Sequence, residues 1–71
     1  MTFNEARIKE GNLRNDTIND SRLINNVCHK VIDLQAVPIG ENNYQVVVHL
    51  SGSPLLISSM CVDEFLQLDR C

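Results

Sequence analysis

Apolar residues fall on every second position at Tyr44, Val46, Val48 and Leu50, with Gln45, Val47 and His49 between them. Period two belongs to an extended strand, whose side chains alternate between two faces. The β-branched run at 46–48 reinforces that reading. The same period links Ile32, Leu34 and Ala36, against Asp33 and Gln35, and predicts a strand over 31–37. Pro38 lacks a ladder donor and belongs at a strand end or edge. Gly40 to Asn43 form a turn cluster. Ser51 to Ser53 form a second turn, after which Pro54 opens a third strand through Leu55, Leu56, Ile57 and Ser58. The expected product is a three-stranded antiparallel meander over 31–58.

The spacing changes on either side of this region. Leu23, Ile24, Val27, Cys28 and Val31 follow the i, i+3, i+4, i+7 spacing of a helix face. With Asp20 or Ser21 as the cap, they predict a helix over 20–30. The competing reading starts the strand at Val27 and leaves the Asn-rich segment before it as loop. At the start of the chain, Thr2 and Glu5 fit a capping box and Gly11 fits a helix stop, giving about two turns of helix. A frayed terminus is the alternative there. Ser58 or Ser59 is placed to cap a last helix over 59–70. Met60 or Cys61 with Phe65 and Leu68, together with Val62 and Leu66, make its apolar face. Asp63 and Glu64 sit at its N-terminal end and Arg70 at its C-terminal end, matching the helix dipole. The sum is an α+β fold and a single domain over 1–71. Residues 1–30 are mainly helical, 31–58 form the meander, and the N-terminal and C-terminal helices pack on one face.

Composition adds constraints. At 44% hydrophobic the chain can form a core, but only Phe3, Tyr44 and Phe65 are aromatic, so that core must be largely Val, Ile and Leu. A 71-residue chain buries a small share of its surface, which favours extra support from a partner. The net charge is −3, and the six cations, Arg7, Lys9, Arg14, Arg22, Lys30 and Arg70, form no stripe. Direct nucleic-acid binding is therefore not expected. No apolar run approaches the roughly 18 residues of a membrane span, and the opening residues hold no apolar signal segment. Cys28, Cys61 and Cys71 are odd in number and widely spaced. The expectation is free thiols in a reducing cytoplasm.

Candidate chemistry is thin. Cys61, placed in the first turn of the last helix, has a nucleophile's location, but Asp63 and Glu64 beside it oppose a thiolate. A buried structural cysteine is the better reading. Cys28, His29, His49 and Cys61 include metal-ligating types without the spacings that pre-orient ligands. Gly40 and Gly52 are isolated and form no phosphate cradle. No catalytic residue, metal site or cofactor is expected, and the protein is read as a non-enzyme.

The two sheet faces differ, and this difference carries the functional reading. Tyr44, Val46, Val48 and Leu50 face the helices. Gln45, Val47 and His49, with Leu56, form a mixed outer face that no predicted element covers. These four residues, with the acidic front of the last helix at Asp63 and Glu64, are the candidate partner contacts. Free strand edges would also invite pairing. The expectation is a protein-binding module that forms a homodimer or docks on another protein. In profile (short, acidic, Asn-rich) the chain resembles the small accessory proteins of phages and other mobile elements, which act by occupying a host protein's surface. That resemblance implies a stoichiometric inhibitor of a host defence protein, with an acidic surface mimicking phosphate as a secondary route. The alternative is a nucleotide-binding or other small-ligand oligomer, with Asn42, Asn43, Tyr44 and His49 lining sites between subunits.

Overall fold

The computed structural model describes residues 1–51 and 57–71, and for residues 57 and 58 the backbone alone. Helix α1 spans Phe3–Thr17. Strands β1 (Ser21–Ile24), β2 (Val27–Gly40), β3 (Asn43–Ser51) and β4 (Ile57–Cys61) follow, and then the single-turn helix α2 (Val62–Phe65). The strands form one antiparallel sheet in the order β1-β2-β3-β4. The class is α+β as expected, with four strands where three were expected. Leu55, Leu56, Pro54 and the residues Gly52 and Ser53 of the expected second turn lie outside the described residues.

Helix α1 begins as the sequence indicates. The Thr2 hydroxyl accepts from Glu5 N–H, and the Glu5 carboxylate accepts from Thr2 N–H at 3.0 Å. Gly11 does not stop the helix. Its surroundings are open, so glycine there only weakens a turn that continues because Leu13 packs against the core and Arg14 bonds across to β2. The helix ends at Thr17, and Asn19 then turns the chain with a φ of 70°.

The helix expected over 20–30 is a β-hairpin. Strand β1 pairs with the start of β2 through Ser21↔Lys30, Arg22↔His29, Leu23↔Cys28 and Ile24↔Val27. Asn25 and Asn26, both at positive φ, make the two-residue turn. This is the backbone of a tight hairpin turn, which asparagine tolerates well. A two-residue turn places i and i+3 directly opposite each other. The Ile24–Val27 spacing that resembled a helix face is this cross-strand pair. The start of β2 at Val27 agrees with the competing reading, although the segment before it is helix and strand, with little loop.

Two bulges set the faces of β2. The register skips Ile32 between Val31↔Leu50 and Asp33↔His49, and skips Ile39 between Pro38↔Tyr44 and Gly40↔Asn43. The first skip lets Val31 and Leu34, three residues apart, both point into the core, which strict alternation forbids. Ile32 itself is left exposed. Ala6 from α1, Val31 and Leu34 from β2, Val46, Val48 and Leu50 from β3, and Val62 and Phe65 from α2 form one buried cluster. Both helices therefore cover the same face of the sheet.

The helix expected over 59–70 is also revised. Met60 and Cys61 belong to β4, opposite Val48 and Val47. Only Val62–Phe65 is helical, one turn that carries Val62 and Phe65 into the core. Beyond it the carbonyls of Leu66 and Leu68 both accept from the Arg22 guanidinium at 2.8 Å. Arg22 is 8% exposed, paired with Asp20 at 3.1 Å, and lies over the Phe65 ring. These bonds hold the chain in a turn, and residues 69–71 run back along the outer edge of β1. There Leu23 N–H donates to Asp69 O at 2.8 Å and Cys71 N–H to Ser21 O at 3.3 Å.

That return brings Cys71 to Cys28, with Cα atoms 6.0 Å apart, and the two form a disulfide. Only Cys61 is a free thiol. The expectation of three free thiols fails because pairing depends on the β1 hairpin and the returning segment, which cysteine spacing does not encode. Asp69, Arg70 and Cys71 are all exposed, so the segment buries no apolar side chain. Its two backbone bonds contribute about 0.5–1.5 kcal/mol each. Ordering its residues costs about 1–2 kcal/mol apiece. The cross-link therefore decides whether the segment stays in place.

Two stability outcomes follow from these contacts. Gly11→Ala should raise the free energy of unfolding by about 0.5–1 kcal/mol, because a methyl group there meets open space and the helix continues past it. Arg22→Ala should lower it by about 3 kcal/mol or more, because Asp20 and two carbonyls lose their partner together. Urea unfolding followed by circular dichroism measures both.

Candidate functional site

The outer sheet face is built by the residues of β2, β3 and β4 that point away from the helices. Registers Asp33↔His49, Gln35↔Val47 and Val37↔Gln45 align them across β2 and β3, and Val47↔Cys61 and His49↔Ser59 extend the rows to β4. Gln45, Val47 and His49 therefore share one face, as expected from alternation. Leu56 lies outside the described residues. Val47 is only 6% exposed although it is not part of the core cluster, so it presents little surface. What a partner would meet here is chiefly Gln35, Gln45, His49 and Ser59, with half-buried Cys61. Among the described residues this face is mainly polar, with Val37 half-buried beside Gln45.

Hydrogen bonds order this surface. His49 Nε2–H donates to Gln35 Oε1 at 3.0 Å. Asp33, next to His49 in the register, accepts from Leu34 N–H at 2.9 Å and from Arg14 at 3.0 Å. The Leu34 N–H bond, then the Arg14 guanidinium, then the nearby His49 hold the Asp33 carboxyl below its ordinary value. Arg14 also binds Glu10 and donates to the Leu34 carbonyl, reaching over the edge of β2 from α1.

The first part of that edge is closed. Val31 N–H donates to Asp20 O at 2.9 Å, and Asn19 N–H donates to Val31 O at 3.1 Å. Leu34 is satisfied by Asp33 and Arg14. Pro38 pairs opposite Tyr44, whose N–H donates to Met1 O, so the missing proline donor faces outward and costs no ladder bond. Residues 69–71 cover the edge of β1. Among the described residues, β4 and the part of β2 beyond Leu34 have no backbone partner on their outer edges.

The acidic pair lies elsewhere. Asp63 and Glu64 are on α2, against the helix-covered face, so they do not join Gln45 and His49 in one site. Asp63 is bound by Lys9 of α1 at 2.8 Å. With Glu5, Ile8, Asn12, Leu13 and Leu66 these two line a shallow groove between the helices, where Ile8 is 63% and Leu66 37% exposed. Ile8 did not stand out in the sequence, because no second apolar residue at helical spacing marked it. Glu10, Asp20, Asp33 and Asp63 are in ion pairs, whereas Asp16, Glu41, Glu64 and Asp69 are in none among the described residues.

Among the residues considered for chemistry, Cys61 and His49 are diagonal neighbours on the outer face, whereas the other two are engaged elsewhere. Cys28 is in the disulfide, and His29 Nδ1–H donates to the Ser51 carbonyl at 3.2 Å. Cys61 ends β4 and precedes a helix of only four residues. Asn43 binds the amino terminus, and Tyr44 packs on Phe3 with ring centroids 5.2 Å apart, on the opposite face from His49. The four residues considered for a ligand site therefore do not converge. Compared with family models, curated proteins and solved structures, the chain has no significant match.

The depressed carboxyls predict a pH response. Asp33 and Glu5, the latter lowered chiefly by the Thr2 N–H bond, both sit below their ordinary values. Their contribution is complete above the ordinary values of 3.8 and 4.5 and disappears as pH falls through the lowered ones. Urea midpoints should be level near neutrality and decline below about pH 4.5, with Asp33→Asn reducing the slope. An unchanged slope in that variant would remove Asp33 as a contributor.

Proposed function

We propose that the protein is a small non-enzymatic protein-binding module whose contact surface is the outer sheet face, and that it first pairs with a second copy of itself. The observation that carries this reading is the one-sided packing. Both helices are spent on the Val46–Val48–Leu50 side, and among the described residues no element covers the side of Gln35, Gln45 and His49. Ordered glutamine and histidine side chains suit a polar, hydrogen-bonded interface more than a dry one. The finer reading, a stoichiometric inhibitor of a host protein, uses the same face and rests on the chain's profile.

Sedimentation equilibrium over a concentration series tests the pairing. The wild-type protein should reach twice its 8.0 kDa mass at high micromolar concentration. Gln35→Lys with Gln45→Lys places like charges in a symmetric contact and should return it to the monomer mass with an unchanged circular dichroism spectrum. A wild-type protein that stays monomeric at every concentration would count against self-pairing.

A further inference from the structure

Residues 69–71 shield the outer edge of β1, and little besides a covalent bond holds them there. Their side chains are exposed, their attachment is the pair of bonds from Leu23 N–H to Asp69 O and from Cys71 N–H to Ser21 O, and Arg70 approaches Asp20 only to 3.9 Å. Just upstream, Leu66 and Leu68 are held differently, by the buried Arg22. The chain thus passes from a firmly bound turn to a weakly bound strip within a few residues. Cys28 and Cys71 are both exposed, so the disulfide is open to thiols from solvent.

We propose that the Cys28–Cys71 disulfide is a redox latch that hides or uncovers the edge of β1. A dithiol reductant supplies the electrons. One of its thiolates attacks a sulfur of the disulfide, the S–S bond breaks, and the departing cysteine leaves as a thiolate that takes up a proton. The reductant's second thiol then displaces the other cysteine from the mixed disulfide. Two electrons pass to the protein, which gains two thiols, and the reductant is left as a disulfide. Residues 69–71 then detach, and the Ser21 carbonyl and Leu23 N–H become an unpaired strand edge. The Arg22 contacts and the core stay in place, so the opening is local.

Amide hydrogen exchange by NMR on the full chain, with and without dithiothreitol, tests this. On reduction the Leu23 amide should exchange at least about tenfold faster, while Val31 and Leu66, bonded to Asp20 and Val62, keep their rates. The Cys28→Ser, Cys71→Ser variant should show the reduced pattern without reductant. Unchanged protection of Leu23 after reduction, confirmed by a two-proton mass gain, would overturn the latch. So would equal loss of protection at Val31, because the disulfide would then support the whole domain and not one segment.

Discussion

Arg22 is buried where the β1 hairpin, the α1–β1 connection, the turn after α2 and the Phe65 ring meet, and its charge must be satisfied there. A buried guanidinium costs several kcal/mol unless its donors find partners. Asp20 supplies the counter-charge, Leu66 and Leu68 supply carbonyls, and Phe65 supplies a ring face. Asp20 lies two residues before Arg22, whereas Phe65, Leu66 and Leu68 come from one stretch far along the chain, so the arginine ties two distant segments together. Phe65 also belongs to the core cluster, which ties this polar junction to the apolar interior. In a domain with few large side chains, one shared arginine gives a cooperativity that the Val and Leu core alone would supply less strongly.

What could be read from the sequence follows the range of the interactions involved. The Thr2–Glu5 box and the alternation of Tyr44 to Leu50 depend on near neighbours, and the structure agrees with both. The two helices that failed, over 20–30 and 59–70, were assigned from spacing that a hairpin and a single turn reproduce. Ile24 and Val27 are cross-strand partners at i and i+3; Val62 and Phe65 share a face after only one turn. The choice between them is made at long range, by Arg22 drawing the chain back and by Cys28 meeting Cys71. Arg22 was legible only as one of six scattered cations. Of the candidate contacts, Gln45, Val47 and His49 share a face because alternation guarantees it, whereas Asp63 and Glu64 fell away from them when α2 shortened and turned to the core.

The one-sided architecture also determines what sort of surface remains. The large aliphatic side chains of β3 are used inward, and Val47, the aliphatic residue that β3 leaves on the outer side, is shielded by its neighbours, with Val37 of β2 half-buried on the same side. The exposed apolar residues are instead spread through the molecule, at Phe3 and Ile8 on α1, at Ile32 and Ile39 in the two bulges, and at Leu66. Such scatter is ordinary for a monomer surface. Recognition by the outer face therefore depends on hydrogen-bond geometry, with the His49–Gln35 pair fixing the direction of its donors and acceptors.

The way the sheet margins are closed bears on assembly by strand addition. One margin is occupied in part by residues 69–71, by the α1–β1 connection and by Arg14, and part of β3 is paired with Met1. Among the described residues, β4 and the part of β2 beyond Leu34 have no backbone partner on their outer sides. Strand addition by a second copy would therefore meet two short, separated stretches and no single long edge, and the bulge at Ile39 interrupts the second of them.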